Sequence, residues 1–98
     1  MGEANEITNT TVVTVPAKVL ARKAADETVL LNLTSEMYFG LNQVGGRVWE
    51  LVQDGSTVGA VVASLLDEFD VAVEVLEADV TSLLRVMADS GLVLLDAA

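Results

Sequence analysis

The chain has 98 residues, a net charge of −10, 52% hydrophobic residues and neither histidine nor cysteine. This length suits one domain, and the missing residue types exclude disulfides, thiolate nucleophiles, the commonest metal ligand and the usual general base. Because the polar, acidic N-terminus lacks signal-peptide features and no run is long and apolar enough to span a membrane, we expect a cytoplasmic, non-enzymatic protein without metal or cofactor.

The N-terminal part of the chain predicts an arm and then broken extended structure. Residues 1–10 are polar without apolar periodicity and predict a disordered arm, which leaves residues 11–98 as the single domain. The β-branched run 11–15 stops at Pro16, and a second extended piece covers residues 19–23. A proline between two such pieces fits an edge strand or a bend rather than a central strand.

Two further strands predict a hairpin. Residues 28–33 and 37–41 are apolar and are joined only by the short polar turn 34–36. Strands with so short a connection pair antiparallel. Alternation puts the odd-numbered residues of the second strand on one face and the even-numbered residues on the other. Tyr38 is therefore expected away from the helices, an unusual place for an aromatic side chain that contacts nothing.

A first helix is predicted directly after the hairpin. Asn42 is its expected N-cap, and Asp54-Gly55 is its expected end, because glycine commonly follows a helix C-terminus. Gly45 and Gly46 lie in the first turn, where the penalty for glycine is smaller. Their missing side chains would allow close backbone packing there.

Two more helices complete the predicted domain. Ser56 or Thr57 caps the first, and the acids within 67–70 end it, although their charge is unfavourable at a helix C-terminus. The last helix covers about residues 75–89, and an extended run follows over residues 92–95. This order predicts an α+β, winged helix-turn-helix-like domain: a three-stranded antiparallel sheet followed by three helices.

The open edges of a three-stranded sheet suggest a binding mode. The strand Met37–Leu41 has no proline or bulge signal, so it is a candidate for pairing with another chain. An exposed strand edge beside an apolar helix groove is a recurring way to bind an extended peptide. On the last helix, Leu83 and Val86, with Asp79 beside them, could form the second wall of such a groove. Val86 could equally be a half-buried surface residue.

The residues from the hairpin onwards resemble the PqqD-like family. That family combines an aromatic-x-Leu-Asn segment with a glycine that precedes an Ile/Val-Trp-x-Leu segment, and a further glycine ends the helix. A Phe-Asp pair, an acidic position and a closing Gly-Leu follow. In this chain these elements are Phe39, Leu41, Asn42, Gly46, Val48, Trp49, Leu51, Gly55, Phe69-Asp70, Asp79 and Gly91-Leu92. The match covers about residues 12–95, and its specificity lies in the ordered combination.

The resemblance implies both a fold and a role. It implies a winged helix-turn-helix-like recognition element for ribosomally made, post-translationally modified peptides (RiPPs). In that family the leader of the precursor peptide adds a strand beside the third strand and lies against the last helix. The implied peptide-binding residues are Met37, Tyr38, Phe39, Gly40, Leu41, Asp79, Leu83, Val86 and Met87. The implied partners are the precursor peptide and a modifying enzyme or leader peptidase acting in trans, with lasso-peptide biosynthesis as the favoured setting.

Three alternatives stay open on the sequence alone. One is a PqqD-type carrier in pyrroloquinoline quinone synthesis. Another is a winged-helix DNA-binding regulator, which the charge opposes: from residue 51 onwards Arg85 is the only basic residue among nine acidic ones. The third is a structural homodimer in which two third strands pair. We expect a monomer that binds neither nucleic acid nor membrane.

Overall fold

A computed structural model of the chain describes residues 7–25 and 27–96. Its elements, in chain order, are β1 (Val12–Thr14), β2 (Val19–Ala24), β3 (Glu27–Asn32), β4 (Met37–Leu41), α1 (Gln43–Val52), β5 (Ser56–Thr57), α2 (Val58–Glu68), α3 (Val73–Asp89) and β6 (Leu94–Asp96). Within this part of the chain, no helix has the length and apolar character needed to cross a membrane.

The strands form two antiparallel sheets. β3 lies between β2 and β4 in the larger sheet, and β1 lies between β5 and β6 in the smaller one. Along the hairpin, Thr28 pairs with Leu41 and Leu30 pairs with Phe39. The predicted α+β fold, with a three-stranded antiparallel sheet and three helices, is confirmed, and the smaller sheet adds to it. The two extended pieces on either side of Pro16 belong to different sheets.

The predicted arm over residues 1–10 lies mainly outside the described residues. For residues 1–6 disorder stays a prediction. From Ile7 onwards the chain packs against the core, and the carbonyl of Asn9 accepts a hydrogen bond from the backbone N–H of Gly59 at 2.9 Å. This bond satisfies one of the N–H groups that the first turn of a helix leaves unpaired.

One hydrophobic core joins both sheets to the helices. Its fully buried side chains come from every layer: Val13, Leu30, Val48, Val52, Val61, Leu65, Val80, Leu84, Met87, Leu92 and Val93. Each such valine, leucine or methionine contributes about 1.5–3 kcal/mol relative to an exposed position. Because Leu30 brings β3 into this core, the larger sheet is fixed against α1 and α3.

The start of α1 packs closely on β3. As predicted, Asn42 is the N-cap: its Oδ1 accepts a hydrogen bond from the backbone N–H of Gly45 at 2.9 Å. A Cβ atom at Gly46 would lie 2.8 Å from Oγ1 of Thr28, which is closer than real Cβ contacts allow. Glycine at this position therefore lets the helix approach the strand.

Gly46→Ala is expected to reduce the free energy of unfolding by about 1–3 kcal/mol, because the new methyl group must displace Thr28 or α1. Thr28→Ala removes the opposing hydroxyl and leaves only the Thr28 Cβ, at an ordinary 3.5 Å. The double variant should therefore be about as stable as Thr28→Ala alone. Denaturant unfolding of all four proteins gives the coupling energy.

Gly40→Ala is the matched control for this cycle. A Cβ at Gly40 would meet nothing within 4 Å, so its effect on stability should stay within about 0.5 kcal/mol. Strictly additive losses for Gly46→Ala and Thr28→Ala would contradict the proposed clash.

Candidate peptide-binding site

β4 forms an open edge of the larger sheet. It pairs with β3 on one side, and among the described residues no strand pairs with its other side. An edge strand presents a row of backbone N–H and C=O groups to any chain that lies beside it. The open edge expected at Met37–Leu41 is therefore present.

A hollow of about 670 Å³ lies beside the C-terminal end of β4. Its walls come from β4, the start of α1, the connection between α2 and α3, and the first half of α3. The apolar lining residues include Phe39, Leu41, Val44, Phe69, Val71, Val75, Leu76 and Leu83. The volume falls within the range of about 300–1,000 Å³ that is common for ligand sites.

A smaller hollow of about 350 Å³ lies at the other end of β4, against the C-terminal end of α3. Met37, Tyr38, Asp89 and Ser90 are among its lining residues, and Phe39 lines both hollows. The two hollows therefore follow β4 from end to end, with β4 antiparallel to α3. We call them together the β4–α3 groove.

The two walls of the β4–α3 groove have similar lengths. The five residues of β4 span about 17 Å at about 3.4 Å per residue. Between Asp79 and Ser90, α3 rises about 16 Å at 1.5 Å per residue. One stripe along the helix is formed by residues spaced three or four positions apart: Asp79, Leu83, Val86 and Ser90. We call it the α3 stripe. A strand laid along β4 would thus face this stripe over its whole length.

Most of the residues predicted for the site lie together along the groove. The larger hollow is lined by Phe39, Gly40, Leu41, Asp79 and Leu83, and the smaller one by Met37, Tyr38 and Phe39. Val86 is 47% exposed and lines neither hollow; helical spacing places it on the α3 stripe, between Leu83 of the larger hollow and Ser90 of the smaller one.

Met87 is the exception among the predicted residues. Its side chain is 0% exposed, so it belongs to the core and offers no surface to the groove. The reason is helical phase: position 87 follows Leu84 by three residues and Val80 by seven, and both of these face the core.

The connection between α2 and α3 forms a wall that the sequence reasoning missed. Phe69, Val71 and Val75 line the larger hollow, and both valines are exposed. The signal was present, because valine recurs at positions 71, 73 and 75, across the end of the connection and the first turn of α3. Apolar residues clustered at the surface mark a binding site more often than isolated ones do.

The charge along the β4–α3 groove is acidic. Glu27 and Asp79 line the larger hollow and Asp89 lines the smaller one, and none of the described lining residues of either is basic. A cationic side chain on a bound peptide would therefore be favoured at the rim.

Nearby basic side chains are held in ion pairs beyond the groove. Nε of Arg47 donates to Oε1 of Glu68 at 2.8 Å, and Nη1 donates to Oε1 of Glu50 at 3.2 Å. Lys23 on β2 also donates to Glu50, at 3.2 Å. Hydrogen bonding from Arg47 lowers the pKa of Glu68, and hydrogen bonding from Lys23 is the main cause of the lowered pKa of Glu50. Arg47 thus offsets an acidic residue at the unfavourable end of α2.

The carboxylates of Glu50 and Glu68 should make the protein less stable at acidic pH. Their folded pKa values lie below the ordinary value of 4.5, so their contribution is present above that pH and is lost as the pH falls through the folded values. We expect the urea midpoint to fall below about pH 5, and to fall less steeply for Arg47→Gln. The difference should be small, because both carboxylates are exposed. Parallel pH curves for the two proteins would contradict this contribution.

Known proteins share the segment that builds the groove. The chain matches the family model described as coenzyme PQQ synthesis protein D (PqqD) over residues 27–93. This segment runs from β3 past the end of α3 and includes both walls. No curated protein sequence matches the chain significantly.

Two solved structures are similar to the chain. TbiB1 in complex with the TbiA(beta) leader peptide is 32% identical, with a TM-score of 0.76 over 82% of this chain and 93% of that chain. A lasso peptide synthetase B1 complexed with the leader peptide is 22% identical, with a TM-score of 0.74 over 84% of this chain and 96% of that chain, and this second likeness concerns the fold alone. The family model matches well over half of the chain. The chain therefore belongs to the PqqD family, as its motifs indicated.

Proposed function

We propose that this chain is a leader-peptide-binding protein of RiPP biosynthesis. It captures a ribosomally made precursor by β-strand addition and presents it in trans to a modifying enzyme or leader peptidase. The observation that carries the proposal is the open edge of β4 beside an apolar groove of the same length. The similarity to TbiB1, which was solved with a leader peptide, supports it.

The bound leader would extend the larger sheet as a fourth strand. Main-chain hydrogen bonds along β4 supply affinity that does not depend on sequence, and alternate side chains supply selectivity. The leader side chains that face α3 enter the groove, where Phe39, Phe69 and Leu83 offer apolar contacts. A lysine or arginine of the leader near Asp79 would add a charge complement at the rim.

The setting that we propose is lasso-peptide biosynthesis, with the protein acting as a cytoplasmic monomer. The fold shared with a lasso peptide synthetase B1 that was solved with a leader peptide supports this choice. Delivery of pyrroloquinoline quinone precursors is the alternative that the family description supports. Because a flexible leader loses conformational freedom on binding, a preformed groove reduces the total cost of capture.

Titration of isotope-labelled protein with a synthetic leader tests this function. The probe is the leader of the precursor peptide that this chain is proposed to capture, and a scrambled peptide of the same composition is the control. We expect amide shifts along β4 and the α3 stripe, with intermolecular contacts between β4 and the peptide backbone. Shifts confined to the β5–β1–β6 sheet would contradict the proposal.

A further inference from the structure

The face of the larger sheet that is turned away from the helices is apolar and exposed. Strand pairing places Leu20, Leu31 and Tyr38 in one row across β2, β3 and β4. Leu20 is 53% exposed and Tyr38 is 72% exposed. Val29 lies in the next row, and the exposed Leu33 follows β3 directly. We call these five residues the outer sheet patch; among the described elements, the helices lie against the opposite face.

Alternation along β3 separates the two faces clearly. Thr28, Leu30 and Asn32 are buried towards the helices, whereas the intervening Val29 and Leu31 are only half-buried. An antiparallel sheet can leave one face to solvent, but that face is then usually polar. A largely apolar outer face, with a tyrosine at its border, has instead the composition of a protein interface.

The border of the outer sheet patch is basic although the protein is strongly acidic. Lys18 and Arg22 alternate with Leu20 along the β2 side, so they belong to the same face. They are two of only five basic residues in a chain of net charge −10. A complementary partner would therefore present an apolar surface with acidic residues at its rim.

A second copy of this chain fits the patch poorly. Three strands that each occupy about 4.8 Å of width and are about 17 Å long give a footprint of roughly 240 Å². A stable interface buries about 800 Å² on each partner, so a face-to-face dimer of the patch alone would be too small. A larger partner that reaches past the patch avoids this limit.

We infer that the outer sheet patch is the docking surface for the enzyme that acts on the leader. The inference rests on the proposed function, since it requires an enzyme in trans. Phe39 and Leu41 turn towards the β4–α3 groove, whereas Tyr38 borders both the smaller hollow and the patch, so leader and enzyme would meet at Tyr38. A leader added beside β4 presents every second side chain on the outer face, next to Tyr38, where the docked enzyme meets it.

The test measures two affinities of the same protein. The probes are the synthetic leader and the purified leader peptidase or modifying enzyme that is proposed to act on it. The double variant Leu20→Thr/Leu33→Thr should bind the enzyme about tenfold more weakly or worse, because it removes the exposed apolar anchors. Its affinity for the leader should stay within about twofold, since both positions lie away from the β4 edge. Threonine keeps the β-propensity of the strand.

Two further variants sharpen the result. Leu94→Thr, at a position 53% exposed on β6, is the matched control and should bind the enzyme like the wild type. Arg22→Glu should weaken enzyme binding and reduce its salt dependence. Thermal unfolding checks that each variant is folded.

The outcomes separate the two proposals. If the double variant binds the enzyme as tightly as the wild type, or if the wild type binds the leader but not the enzyme, the docking surface is wrong. If the wild type does not bind the leader, the proposed function fails first. A wild-type protein that dimerises through Leu20 and Leu33 in sedimentation experiments would also overturn the inference.

Discussion

The Val86→Glu variant should bind the leader about tenfold more weakly or worse, while its unfolding midpoint stays close to that of the wild type. Val86 lies on the α3 stripe between the two hollows and is 47% exposed, so a glutamate can be solvated there in the unbound protein. A bound strand would cover the carboxylate without offering it a partner, which costs more than the roughly 1.4 kcal/mol that corresponds to tenfold.

Leu94→Glu is the control for this variant. It makes the same change of charge at a position of similar exposure, 53%, on β6 of the smaller sheet. Fluorescence polarisation with a labelled leader measures both affinities. Equal losses in the two variants would assign the effect to net charge alone. Full affinity of Val86→Glu would show that the leader does not lie along the α3 stripe.

The features that local sequence patterns determine are the ones that could be predicted. The hairpin follows from two apolar runs with a short turn between them, and the caps at Asn42 and Thr57 follow from side chains that bond the first turn of a helix. The open edge at β4 also follows locally, because no further strand signal comes after Leu41 until the helices have passed. The groove could therefore be anticipated from its two walls.

The features that depend on distant contacts could not be predicted in the same way. In the smaller sheet, Val12 pairs with Thr57 on one side and with Asp96 on the other. A two-residue strand such as β5 carries no periodicity that would reveal it. Met87 is a different case: its groove role came only from the family resemblance, whereas its helical spacing from Val80 and Leu84 already indicates the core.

Asn32 connects the two walls of the groove at the smaller hollow. Its Nδ2 donates to the backbone carbonyls of Ser90 and Gly91, both at 3.2 Å. Its Oδ1 accepts from the backbone N–H groups of Thr34 at 2.9 Å and Ser35 at 3.2 Å. One buried side chain thus joins the turn between β3 and β4 to the C-terminal end of α3. We therefore expect the spacing between the larger sheet and α3 to depend on it.

Asn32→Ala is expected to reduce the free energy of unfolding by about 2–4 kcal/mol, because four part-buried hydrogen bonds of this side chain are lost. Since a domain of this kind has about 5–15 kcal/mol of stability, the variant should still fold. Its affinity for the leader should also fall, because the wall separation at the smaller hollow is no longer fixed. A loss below about 0.5 kcal/mol in urea unfolding, typical of an unimportant surface position, would contradict this role.

Asn32→Asp separates the two halves of the interaction. An aspartate keeps the oxygens that accept from Thr34 and Ser35, but it cannot donate to Ser90 and Gly91 when ionised. Hydrogen exchange should therefore show the Thr34 and Ser35 amides still protected in Asn32→Asp and exposed in Asn32→Ala, while both variants bind the leader more weakly. If Asn32→Asp instead binds the leader like the wild type, the turn alone positions β4, and the contact with α3 does not set the width of the groove.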